Sequence, residues 1–499
     1  MKTILLFLIS FISITVSAQT LRVTTGNPIS AKDLVRMTGN MMVASATMSP
    51  NFFFDLSLKR AYANFGIGRG KFLGYNNFVT PVDIKKLSAE FIDDQREVYI
   101  SILRLINMKD KLFAFYITLD KAKDEISVYV NQVSNDLVLM GSPVLVKRYK
   151  TLSDGSYIDF RPSPNNKYFL LTRTLDGKPK EPMQFDITLI DEGFGQVVTQ
   201  SINTDYSDRA AYVSLAKVDD NGNFYVVESA SDRSGDSKLR PQLHLYNASQ
   251  KKMSKVGLGL PNGSTYGVNA MLGKNNELVI AGLSKAGRAV RCFKQTLDPA
   301  TGTITQDASS LMPDHYYEDY AMRSFSAGDW RIADIASLDN GTTVATLEAQ
   351  ITLVNQEGVE VSTAGHYTYV LLFKPEGKVN FNTIYKKQSS MKSNCGSALI
   401  VSQNKFFIIY NDNSKNLKLK PEDEKVDVYR QRNSMIVVQE FDENGKITKY
   451  PLVIGDKLKT YNADIGQFTR LDEGQFFLSA FSRKNLATVN NVAILVEVN

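Results

Sequence analysis

Apolar and β-branched residues come along this chain in runs of about five to eight, separated by short clusters of Asn, Asp, Gly, Ser and Lys, which is the signature of strands punctuated by turns. Nothing between the runs carries the spacing of a 10–15-residue amphipathic helix, so a parallel α/β sheet is excluded. One unit recurs seven times: a polar turn followed at once by a β-rich hexamer. The turns at 108–111, 164–167, 220–223, 274–277, 339–342, 402–405 and 472–475 precede hexamers at 112–117, 168–173, 224–229, 278–283, 343–348, 406–411 and 476–481. A strand lies before each turn, as at 157–160, 212–218 or 398–401, and a third β-rich run follows each hexamer, as at 243–246, 367–373 or 434–441. Six of the third runs continue through a short turn, such as 375–378 or 443–446, into a fourth. Four antiparallel strands per repeat make a propeller blade. The pattern therefore predicts an all-β seven-bladed β-propeller of four-stranded antiparallel blades over residues 81–499, the alternative being tandem β-sandwich domains.

The seventh repeat stops after its third strand, and an unpaired outer edge invites aggregation. An N-terminal strand is expected to close the ring, and the run 84–91 is the segment expected to pair with 492–498. Residues 19–80 then form an N-terminal extension. Ahead of them, Lys2, the apolar stretch 4–14 and the small residues Val16, Ser17 and Ala18 have the order of a secretory leader cleaved between Ala18 and Gln19. No other run reaches the roughly 18–20 apolar residues of a membrane-spanning helix, and no Cys follows the leader to take a lipid anchor. A periplasmic or secreted monomer is expected.

The composition, 43% hydrophobic and 22% charged, supports a large core and excludes disorder or a disulfide scaffold. A net charge of +6 over 499 residues, with no basic cluster interleaved with aromatics, gives no nucleic-acid footprint. Three His and two Cys leave little material for a metal site, so neither metal nor cofactor is expected. Cys292 and Cys395 fall in repeats separated by a blade and are expected as free buried thiols. His244, His315 and His366 are scattered over three repeats without catalytic companions. The glycine cluster 66–71 lacks the Walker spacing and reads as a turn. Ser337, Asp339, Gly341 and Thr343 resemble the Asp-box of sialidases with Val344 in the aromatic's place; that box is structural, and turn chemistry accounts for it.

Residues 366–417, with Tyr-Thr-Tyr-Val-Leu-Leu-Phe at 367–373, Lys-Pro-Glu-Gly-Lys at 374–378 and Phe-Phe-Ile-Ile-Tyr-Asn-Asp-Asn at 406–413, resemble an uncharacterised family of exported bacterial β-propeller-like proteins. The resemblance implies an envelope or secreted setting and no particular activity.

The turns joining first to second and third to fourth strands are short throughout, whereas the long connections, 229–240, 311–331, 349–365 and 411–433, all fall on the opposite face. Long loops on a rigid scaffold commonly carry binding groups. They bring together His315, Tyr316, Tyr317, Tyr320, Trp330 and Arg331, with Asn411, Asp412 and Asn413 at a strand end, a mixture that stacks on and hydrogen-bonds a sugar or peptide. The same aromatics can equally fill space. The function expected is a non-enzymatic binding or scaffold propeller recognising a glycan, peptide or envelope protein. The alternative is a carbohydrate-active hydrolase or lyase with carboxylates around the central channel; no catalytic residue is legible.

Overall fold

The hexamers are predominantly apolar, without strand alternation, because both of their faces are covered. Leu278–Leu283 and Phe224–Val227 are buried without alternation, whereas an outer strand such as Lys252–Gly257 alternates between half-buried and exposed. A strand with a neighbour on each face reads as a continuous apolar run. In a computed structural model of the chain, seven four-stranded antiparallel sheets stand as blades and an eighth sheet unites the two chain ends. The structure describes the strands at 21–25, 29–30, 51–55, 60–67, 70–77 and 83–86 and most of residues 98–498, apart from connecting segments of which 231–240, 318–329 and 453–460 are the longest. Blades I to VII span residues 51–86, 98–150, 158–207, 211–257, 264–311, 330–390 and 397–451, and in each the four strands pair in chain order.

The first strands of successive blades lie against one another in a closed circle around a central channel, with Asn51–Asp55 of blade I between Val98–Met108 and Asn462–Asp472. Six hydrophobic clusters each straddle two adjacent sheets. Phe115, Phe160 and Phe169 join blades II and III, and Ile280, Leu245 and Tyr225 join IV and V. No blade covers its own faces, so stability accrues at the contacts between neighbours.

The seven turn boxes mark blades II–VII and the closing sheet; blade I has no such box and comes from residues the repeat count left ahead of the ring. An N-terminal strand does close the ring, but it is Leu21–Thr25, paired with the last strand from Leu21↔Val498 to Thr25↔Ile494. The expected closure by 84–91 is therefore corrected: Asp83–Lys86 is the fourth strand of blade I, paired with Gly70–Asn77. The segment that takes the terminal edge brings Leu21, 3% exposed, into the cluster of Ile494 and Val496. The leader, with Ala18 and Gln19, lies outside the described residues. The stretch 349–365 is a correction of a second kind. Much of it extends the middle hairpin of blade VI, with Gln350↔Gly365 through Val354↔Glu360 in register, because its apolar-polar alternation is that of a strand.

Candidate functional site in the central channel

The box turns are structural. In blade IV, Asp219 Oδ1 accepts the N–H groups of Asn221 and Asn223, Asp219 Oδ2 accepts from Asn223 Nδ2, and Gly222 takes φ +81°. These are the local bonds that let Asp nucleate a turn. The turns also bind to one another from blade to blade. Asp220 accepts from Asn165 N–H and Nδ2 (2.9 and 2.8 Å), Tyr225 Oη donates to Asn276 O, Lys274 pairs with Asp339 (2.7 Å), and Asn340 N–H donates to Asn404 Oδ1 (2.9 Å). The Asp-box resemblance at 337–343 is one link in this belt.

The first strands carry a second repeated device. Four residues before the turn begins, at Ser163, Gly273 and Leu338 respectively, stand Asp159, Asn269 and Asp334. Each accepts the N–H of the next residue on its own side chain, at 3.0, 2.8 and 2.9 Å. Two of them then reach the neighbouring first strand: Asn269 Nδ2 donates to Ile332 O and Ala333 O, and Asp334 Oδ2 accepts from Leu399 N. Bulges at 266–269 and 332–334 re-aim these side chains out of the ladder. They lace together strands that share no backbone ladder.

The corresponding position in blade II is Arg104, and two residues further along are Arg161 in blade III and Lys217 in blade IV. Burial lowers the Arg104 guanidinium below its ordinary value, and the nearby Arg161 lowers it further against the pull of Asp159. Burial and Arg161 likewise lower Lys217, against the attraction of Asp334 and Asp159. Burial drives Asp334 up to about 6, opposed by the N–H bonds of Ile335 and Leu399 and by Lys217. Lys217 and Asp334 sense each other from blades IV and VI, across the channel. Asp159 is held by Arg161 Nε at 2.7 Å, and the Arg161 side chain remains 54% exposed, so the cluster opens to solvent. Asp159 and Asp334 thus have protein donors on each oxygen. Arg104 and Lys217 make no ion pair or hydrogen bond among the described residues.

Sequence reasoning placed function elsewhere. Tyr316 and Trp330 are buried in the cluster that joins blades V and VI, their rings 4.8 Å apart and each within 6 Å of Tyr369. Tyr317 is half-buried, and its hydroxyl both accepts from Val290 N–H (2.9 Å) and donates to Val290 O (3.1 Å). Arg331 is exposed at the start of its strand; His315 and Tyr320 lie outside the described residues. Asn411 is fully buried, and its amide pairs with both backbone groups of Ala463, Nδ2 to O at 2.8 Å and N–H to Oδ1 at 2.7 Å. Asp412 Oδ1 accepts from Asn413 N–H and Asn416 Nδ2, with Lys449 3.5 Å from Oδ2; Asn413 caps the turn Ser414–Lys418. These three anchor the start of the long connection. The structure does not bring them into one site with the aromatics. His244 is buried against Glu228 at 2.8 Å, a structural pair, and the side chain of His366 is outside the described residues. Both cysteines are free and buried, as expected. The signal that marks the channel group is a charged residue in a mostly apolar first strand, two or four residues before the turn.

No family model matches the chain, and no curated protein resembles it in sequence. Among solved structures it is similar to the polysaccharide lyase Uly1, at 10% identity over 79% of this chain and 89% of that one, with a TM-score of 0.39. It is similar to prolyl oligopeptidase B from Galerina marginata at 11% identity and TM-score 0.39, covering 90% of this chain but only 58% of the peptidase. The Nup133 β-propeller domain of Vanderwaltozyma polyspora matches at 8% identity and TM-score 0.37, over 80% of this chain and all of that domain. Enzymes and a non-enzymatic module thus stand side by side, and their activities stay with those proteins. No helix among the described residues is long and apolar enough to cross a membrane.

Proposed function

We propose that this chain is an exported, non-enzymatic binding propeller whose ligand, a glycan, peptide or envelope protein, presents an acidic group to the central channel. One observation carries the reading. The carboxylates Asp159 and Asp334 are engaged by protein donors on each oxygen, while Arg104 and Lys217, though attracted by them, make no ion pair or hydrogen bond among the described residues. The charge left without an ion pair among the described residues is cationic, which suits an acidic group on a ligand. Arg104 and Lys217 are half-buried, and a partly desolvated cation gains from an anion that replaces its lost water. Arg331, exposed at the start of its strand, is suited to the rim of such a site, and export follows from the leader ending at Ala18.

The test uses the full chain beginning at Gln19 and three probes in calorimetric titration: tri-galacturonate, a hexaglutamate peptide and a neutral tetrasaccharide. Acidic probes are expected to bind, more weakly as salt rises, and Arg104→Ala with Lys217→Ala to weaken them roughly tenfold or more. Equal affinity for acidic and neutral probes, or release of shortened product from the saccharides, overturns the reading.

A further inference from the structure

A second site lies between blades VI and VII, on the face of the box turns. A cleft of about 620 Å³ opens there, within the roughly 300–1,000 Å³ typical of small-ligand pockets. Its floor is apolar, where Phe441 stacks on Phe406 with centroids 4.4 Å apart. Its walls are amides. Asn380 and Asn382 on the outer strand of blade VI make no side-chain hydrogen bond among the described residues. Across from them, Asn340 uses only Oδ1, accepting from Thr342 N–H, and Asn404 uses only Oδ1, accepting from Asn340 N–H. The turn belt that fixes these two residues therefore leaves both of their NH₂ groups as fixed donors at the mouth of the cleft.

We infer that this cleft binds a neutral oligosaccharide. A carboxamide offers a donor pair and an acceptor side by side, which matches a vicinal diol, and four amides above an apolar floor fit a sugar ring with hydroxyls at its edge and C–H groups on its face. Among the described residues, the charged groups that line the cleft are Lys374 and Asp442, of opposite sign. The site is independent of the channel, lies on the opposite face from the long connections and needs no contribution from Arg104 or Lys217.

The experiment is saturation-transfer NMR and calorimetry of the full chain with neutral tetrasaccharides of β1,4-glucose, α1,4-glucose, β1,4-xylose and β1,4-mannose. At least one is expected to bind at roughly millimolar concentration or better, and Asn380→Ala with Asn382→Ala to weaken it roughly tenfold through lost hydrogen bonds, with an unchanged melting temperature. Arg104→Ala with Lys217→Ala should leave this binding unaltered, which separates the cleft from the channel. The inference is wrong if none of the four binds, if the double asparagine variant binds equally well, or if the channel variant alone abolishes binding.

Discussion

Trp330 decides between a ligand platform and a packed core, and the structure gives the size of the effect. The side chain is 1% exposed, and its ring lies 4.8 Å from Tyr316 and 5.6 Å from Tyr369. Replacing a buried Trp by Ala removes its transfer free energy and leaves a cavity, together about 3–5 kcal/mol. Unfolding entropy near 2.1 cal/mol/K per residue amounts to on the order of 1 kcal/mol/K for a ring of this length, so Trp330→Ala should lower Tm by about 3–5 °C. A larger fall follows if blades V and VI open ahead of the rest. Trp330→Phe refills most of the space and should recover more than half of the loss. Differential scanning calorimetry, with denaturant titration to read stability at 25 °C, measures both. An unchanged Tm for Trp330→Ala alongside lost binding of any probe would refute the packing argument and restore the aromatic platform.

Two further outcomes follow from buried polar groups and from closure. Glu348 and Lys386 are nearly fully buried, 2.8 Å apart, and the same Glu348 oxygen accepts from Ser397 and Thr368 across the blade VI–VII junction. Burial pushes Glu348 up, but Lys386 and the three hydrogen bonds outweigh it, so its folded value lies below the ordinary one. A depressed carboxylate contributes stability that is present above the unfolded value, about 4.3, and disappears as pH falls through the folded value. The wild type should therefore lose Tm below about pH 4 more steeply than Glu348→Gln, and Lys386→Met should cost about 3–5 kcal/mol near neutrality by stranding the carboxylate; superimposable acid profiles would contradict this. Deleting residues 21–25 uncovers the edge of Val489–Val498. Light scattering should then report concentration-dependent association, and a monodisperse monomer of unchanged Tm would show that closure does not need that strand.

The fold was largely legible because a propeller repeats its local chemistry. Each box turn needs a residue such as Gly222 or Gly341 that takes positive φ, and each hexamer is mostly apolar because two neighbours cover it, so turn and run together announce a blade. Blade I escaped because its hairpins use Asp55–Arg60 and Ile67–Gly70 connections without the box-and-hexamer pairing. Closure was assigned to the wrong segment for a related reason. Strand character at 84–91 says that a run pairs, but not with which edge, and only the ring geometry makes Leu21–Thr25 the partner. The channel group was illegible because its members sit one to a blade, some fifty residues apart. Arg104, Arg161 and Lys217 each look in sequence like a single charge in a strand.

The candidate residues at strand ends follow one physical rule. Propeller blades share no hydrogen-bonded ladder with their neighbours, so every junction needs polar side chains that imitate one. Asn411 does this by matching both backbone groups of Ala463, Gln388 by meeting Gly396 N–H and O, and Asn269 by reaching Ile332 and Ala333. In sequence these amides at strand ends have the composition of a sugar site, because a carboxamide that satisfies a peptide group presents the same donor and acceptor as one that satisfies a diol. What separates the two is whether the amide already has its partners. Asn411 has them; Asn380 and Asn382 do not. The same criterion applied to charge distinguishes Asp159 and Asp334, whose oxygens are filled, from Arg104 and Lys217, which are not. In a fold held together by borrowed backbone chemistry, the polar groups left over after the junctions are made are the ones available to a ligand.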